Sequence, residues 1–225
     1  SPPGGFTWWR FNHPMDGYSF FYQHGAGLSG IFYFLCGLTV LKKAMERYFS
    51  AGTILASLSA ILFGTSLFNY GVGETVMSHA YTFFLVSALL YLVPAWNMEP
   101  GSKRWSVLLG AVCGFLVLVR TLNILFFVLF AFFGVYTLRG LVDRGLLFWR
   151  HRRSLFLMGM MMLLVFTPQL AMWKYSAGSF FVNSYRDYFR FTSPHLFDLF
   201  FGLKKGLFVW FPILIFAFAG LYELR

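Results

Sequence analysis

Three stretches of this chain, 25–41, 76–92 and 154–171, are almost free of charge and close to the roughly 20 apolar residues that carry a helix across a bilayer. A bilayer core offers no water to an unpaired peptide group, so a helix is one of the few backbones that can occupy it. With further apolar runs between them, the pattern predicts about seven spans, near 24–41, 52–69, 76–94, 105–119, 121–138, 154–173 and 206–222. The expected fold is all-α: a single multi-pass transmembrane helical bundle covering residues 1–225, with one amphipathic segment in the external interface. Any chemistry must then sit at helix ends and in loops.

Composition agrees. Only 12% of the residues are charged and 58% are hydrophobic, whereas a soluble domain carries about 25% charge. The net charge of +10 would suggest a nucleic-acid partner in a soluble protein. Here the cations gather between apolar runs, so no nucleic acid is expected and membrane lipids are. Cys36 and Cys113 both lie inside apolar runs and read as small hydrophobes. Neither has ligand spacing around it, so no disulfide, metal or other cofactor is expected. Ser1-Pro2-Pro3 opens the sequence without a methionine or a leader peptide, which reads as an internal piece of a longer membrane protein.

Lys and Arg alternate in density along the gaps. Lys42, Lys43 and Arg47 follow the first span, Lys103 and Arg104 the third, and Arg139, Arg144, Arg150, Arg152 and Arg153 the fifth. The loop 70–75 has no Lys or Arg, and the turn at Arg120 has a single one. By the excess of positive charge on the cytoplasmic side, the N-terminus, the 70–75 loop, Arg120 and the segment 174–205 face outward and the C-terminus inward. Gly110 and Gly114 form a Gly-x-x-x-Gly pair that lets two helices approach closely.

Three groups of residues could carry chemistry. Glu74 ends a short external loop, and His79 follows at the start of a span; an ionisable group at such a position is a functional candidate, and a histidine transfers protons near neutral pH. Its alternative is a bond to a neighbouring helix. Arg120, Lys174, Arg186, Arg190, Lys204 and Lys205 are external cations in a chain that otherwise keeps its charge inside. Phosphate binding at the headgroup level would explain them, as would generic contact with anionic lipid. Aromatic residues, Tyr185 among them, are interleaved with Arg186 and Arg190 in a pattern that predicts a helix lying in the interface. Asp16 is an external carboxylate that could serve as a base, or simply close an Asp-Gly turn.

The segment Gly73-Glu74-Thr75-Val76-Met77-Ser78-His79-Ala80 resembles the Glu-x-x-Met-Ser-His-Ala segment of bacterial multi-pass glycosyltransferases of the GT-C superfamily, the protein-mannosyltransferase-like and aminoarabinose-transferase-like enzymes. Val119-Arg120-Thr121-Leu122-Asn123 resembles their Val-Arg-Pro-Thr-Asn hairpin, with Thr121 in place of proline. Trp173-Lys174-Tyr175, Ser184-Tyr185 and Lys205-Gly206-Leu207-Phe208 follow in the same order. The resemblance implies an enzyme of the bacterial inner membrane that moves a sugar from a polyprenyl-phosphate carrier to an acceptor on the external face. Together with the reading of the residues above, this gives Glu74, His79 and Asp16 as the expected catalytic residues, and Arg120, Lys174, Tyr185, Arg190, Lys204 and Lys205 as the expected substrate-binding residues. The family's usual base, an aspartate in the first external loop, would lie upstream of Ser1. The alternative is a non-catalytic subunit or scaffold of a larger membrane complex derived from the same fold.

Overall fold

The computed structural model describes residues 20–182, 195–204 and 206–223, and among them every regular element is helical. The long helices are α1 (Phe20–Met45), α3 (His79–Met98), α4 (Lys103–Val119) and α7 (Arg152–Ala177). Three of them, α1, α3 and α7, are long and apolar enough to cross a membrane. Shorter helices are α2 (Ala51–Gly64), α5 (Phe127–Ala131), α6 (Leu138–Arg150), α8 (Leu196–Phe201), α9 (Leu207–Trp210) and α10 (Leu214–Glu223).

Helix limits follow local chemistry. Ser50 accepts from the Thr53 amide at the start of α2, and Thr137 accepts from the Gly140 amide at the start of α6, each satisfying a donor that has no intrahelical partner. α7 stops at Gly178, whose φ of 68° is left-handed and whose amide returns to the Lys174 carbonyl.

α1, α3, α4 and α7 form a row in that order. Close packing is bought by glycine. A Cβ at Gly30 would lie 1.9 Å from the Thr75 carbonyl oxygen, and one at Gly37 would lie 2.6 Å from the Phe83 ring; seven residues apart, the two share a face of α1. On α4, a Cβ at Gly110 would lie 2.4 Å from the Met158 carbonyl oxygen, and one at Gly114 would lie 2.9 Å from Val165. The Gly-x-x-x-Gly pair thus seats α4 on α7.

The core sits where α3, α4 and α7 meet, around Leu89, Trp96, Leu109, Leu116 and Met158. Its polar centre is a buried hydroxyl cluster. Trp96 Nε1 donates to Ser154 Oγ at 3.1 Å and to Ser106 Oγ at 3.3 Å, the two hydroxyls bond each other, and Ser106 donates on to the Ser102 carbonyl. Buried polar atoms without such partners would each cost about 1–3 kcal/mol. This cluster fixes the C-terminal end of α3 beside the N-terminal ends of α4 and α7.

Outside these contacts the helices expose large apolar side chains, among them Leu28, Phe32 and Leu35 on α1 and Phe156, Leu163 and Leu164 on α7. Exposed apolar side chains along helices of spanning length are compatible with contact to lipid.

Several expected limits shift. The span expected from residue 76 begins at His79, because residues 74–78 form a turn in which the Met77 amide bonds the Glu74 carbonyl. The span expected over 52–69 ends at Gly64, where Thr65 becomes extended. The one expected over 121–138 stops at Ala131: it is a 3-10 turn, Thr121–Phe126, followed by α5, and the chain then swings through Gly134 at φ 75°. The last divides around Pro212 into α9 and α10, because proline has no amide to continue the ladder.

Residues 138–150, expected as part of a basic loop, form α6. Its Arg144 is buried and donates to the Ala131 carbonyl at 3.2 Å, to the Phe130 carbonyl and to Asn97 Oδ1. The guanidinium also lies 4.5 Å from the centre of the Phe148 ring. It therefore caps the end of α5 and ties α5 and α6 to the end of α3.

Candidate functional site

The opposite end of the row from the hydroxyl cluster holds the N-terminus of α3 and the C-terminus of α4. Between α2 and α3 the chain makes a wide turn, Asn69–Gly73, in which the Glu74 amide reaches back five residues to the Asn69 carbonyl at 2.9 Å. Turns of this width are uncommon and recur at functional sites. Gly71 permits it by lying against the Phe34 ring, where a Cβ would come within 2.6 Å. The turn leaves Glu74 exposed and puts Tyr70 against the first residue of α3, with the Tyr70 and His79 rings stacked at 3.9 Å between centroids and an interplanar angle of 27°.

His79 is half-buried and lies in the electrostatic range of both Arg120 and Glu74. Among the described residues, neither of its ring nitrogens makes a hydrogen bond, and the Arg120 guanidinium has no hydrogen bond or ion pair. Both are therefore open to a ligand.

Arg120 is held through its backbone. It ends α4 in an extended conformation, its amide bonds the Leu116 carbonyl, and its own carbonyl accepts from the Asn123 amide at 2.9 Å. Asn123 is buried; its Nδ2 donates to the Leu116 carbonyl at 3.0 Å and to Thr82 Oγ1 at 3.3 Å. Thr82 is one helical turn below His79, so a single amide side chain couples the Arg120 turn to the His79 face of α3. Thr121 starts a 3-10 helix here without the help of proline.

A cavity of about 470 Å³ opens between α2 and α3, lined by Thr65, Ser66, Tyr70, His79, Thr82 and Phe126 among others. A second, of about 600 Å³, is lined by Ser66, Asn69, Tyr70, Lys204, Trp210 and Phe211. Ser66 and Tyr70 line both, so Lys204 faces the same Tyr70 against which His79 is stacked.

The structure thus brings Glu74, His79 and Arg120 to one end of the helix row and sets Lys204 across the Tyr70 ring from His79, while Glu74 and Arg120 themselves line neither cavity. Lys174 lines neither cavity: its Nζ donates to the Gly178 carbonyl at 3.0 Å and lies 5.2 Å from the Phe180 ring centre, capping its own helix. Asp16, Tyr185, Arg190 and Lys205 lie outside the described residues, as does the stretch expected to form the interfacial amphipathic helix. Among the described residues, no three His, Cys, Asp or Glu side chains gather around a common point.

Tyr70, Thr82 and Trp210 did not stand out from the sequence as site residues. Only Tyr70 carried a signal, since glycines at 71 and 73 mark a backbone that can fold tightly beside it. No family model, curated protein or solved structure matches the chain.

Proposed function

We propose that this chain is the membrane part of a glycosyltransferase that takes a sugar from a polyprenyl-phosphate carrier and transfers it on the external face of a bacterial inner membrane. The observation that carries the proposal is the His79 imidazole, free of hydrogen bonds among the described residues, in the wall of one of two adjoining cavities that share Tyr70 and within electrostatic range of the unengaged Arg120 guanidinium. The order of motifs from Glu74 to Asn123 supports it independently.

In this reading α1, α3 and α7 cross the bilayer within a multi-pass bundle, and the end bearing His79 and Arg120 faces outward. The basic end, with Lys42, Lys43, Arg47, Lys103, Arg104, Arg152 and Arg153, faces the cytoplasm, as the charge rule requires. The acceptor attacks the anomeric carbon from the side opposite the carrier. The bond from that carbon to the phosphate oxygen breaks, and its electron pair stays with the lipid phosphate. Arg120 and Lys204 stabilise the charge gathering there. His79 and Glu74 hold the acceptor and receive its proton.

The test is transfer of a radiolabelled sugar from polyprenyl phosphate in vesicles containing the full-length protein. Transfer that is lost in Arg120→Ala supports the reading. Carrier binding without transfer, under any acceptor tried, would instead identify a non-catalytic subunit.

A further inference from the structure

Helix α6 presents three distinct faces. Arg144, Leu147 and Phe148 turn inward: Arg144 is buried on α3 and α5, and the other two pack against the core. On another side, Leu138, Val142, Leu146 and Trp149 follow one another at helical spacing and are 84%, 63%, 59% and 72% exposed. At about 100° per residue these four fall within one stripe of the helix surface. Arg139, Asp143 and Arg150 fill the arc beside it.

A helix with one packed face needs no second apolar stripe to fold. An exposed stripe bordered by arginines is the arrangement of a helix lying in a bilayer interface, with Leu, Val and Trp at the acyl boundary and cations at the headgroups. α6 is also held in one orientation. Thr137 caps its start, and the three acceptors on Arg144 fix its roll against the row.

Among the described residues the cations around it have no anionic partner, although Arg104 lies 4.9 Å from the Trp105 ring centre. Among the described residues Lys103, Arg139, Arg150 and Arg153 make no ion pair and no side-chain hydrogen bond, and Arg152 only donates to the Trp149 carbonyl and lies 5.6 Å from the Trp149 ring centre. Lys103 and Arg104 open α4, and the loop before them meets α7's start, where Gly101 lies beside His151. Against these six cations the neighbouring segments set only Glu99 and Asp143. The unbalanced charge selects an anionic partner, and the stripe beside it an apolar one.

We propose that α6 is an interfacial helix that binds anionic phospholipid at the basic end of the protein, with Leu138, Val142, Leu146 and Trp149 in the acyl boundary and Arg139, Arg150, Arg152 and Arg153 on the phosphates. Anchored through Arg144, it gives the lipid headgroups a rigid connection to the ends of α3 and α5. The inference rests on membrane insertion of α1, α3 and α7 and not on sugar transfer, so either can fail alone.

The test uses the full-length protein in bilayers of equimolar phosphatidylcholine and phosphatidylglycerol. Spin-labelled lipids measure which headgroup is enriched at the protein surface. Phosphatidylglycerol should be enriched, and the combined variant Arg139→Gln, Arg150→Gln, Arg152→Gln and Arg153→Gln should lower that enrichment at least about threefold, as added salt should. A second variant leaves the cations in place. Lipids brominated near the headgroup should quench a component of tryptophan fluorescence that Trp149→Phe removes, and lipids brominated at the chain end should not. Unchanged enrichment in the arginine variant overturns the proposal. So does a Trp149 component untouched by shallow bromine, or a dimer that forms through this face and is dissolved by Val142→Asp.

Discussion

The imidazole of His79 lies flat on the phenol ring of Tyr70, 3.9 Å from it between centroids. The contact fixes the ring plane while leaving both nitrogens unbonded among the described residues. An aromatic pair of this kind contributes about 0.5–1.5 kcal/mol. Under the proposed reaction, Tyr70→Ala should therefore lower transfer by up to about tenfold, while Tyr70→Phe, which keeps the stack, should stay close to wild type. Steady-state transfer rates for the two variants check this; equal losses would mean that the Tyr70 hydroxyl, not its ring, matters.

Arg120 should behave as a fork and not merely as a charge. Its guanidinium is exposed and unengaged, and its position is set by the Asn123 bonds to Thr82 and Leu116. Arg120→Lys keeps the charge and loses the bidentate geometry, so transfer should fall at least about tenfold, or about 1.4 kcal/mol in the barrier. Undiminished transfer in Arg120→Ala would reduce the residue to an interface role.

Two glycines should respond to alanine with opposite sign. In a helix, Gly→Ala is worth about 1 kcal/mol of stabilisation by propensity alone. At Gly145 nothing lies within 4 Å of the added methyl, so that gain should appear as a raised melting temperature in detergent. At Gly30 the methyl would meet the Thr75 carbonyl oxygen at 1.9 Å, and overpacking of about 1–3 kcal/mol outweighs the propensity. Gly30→Ala should melt earlier and should also shift the turn that carries Glu74.

Arg144→Met should be among the most destabilising single changes at the basic end. It strands the carbonyls of Phe130 and Ala131 and the side-chain oxygen of Asn97. Each neutral acceptor left without its donor costs about 1–3 kcal/mol. Arg144→Lys should recover only part of it, because an ammonium cannot span the three acceptors. Unfolding in a denaturing detergent series measures both variants.

Cysteines placed at Gly145 and Tyr175, in a background lacking Cys36 and Cys113, should label from opposite sides. Both positions are exposed and lie at opposite ends of the row. An impermeant thiol reagent added outside should reach the one at Tyr175 and not the one at Gly145. The reverse result would invert the proposed orientation.

What the sequence determined is local. Apolar runs of spanning length gave helices, because a helix satisfies its peptide groups from within its own segment. The charge-bearing break between Val119 and Thr121 gave the end of α4, and Gly110 and Gly114 gave a face on which α7 could seat its backbone. Each of these depends on neighbours a few residues apart. The basic run 139–153 reads as a loop by its density of charge. Yet Leu138, Val142, Leu146 and Trp149 already carried the period of α6. Only tertiary structure decided the rest. Arg144 could be buried because acceptors 13, 14 and 47 residues away converge on it. Lys174 was drawn to its own helix end by Gly178 instead of to the cavities. Tyr70 came to lie on His79 because a wide turn folds the chain back over nine residues. Such placements depend on how separate helices come together, and a charged or aromatic residue read along the chain has the same identity whether it meets solvent, lipid or another ring.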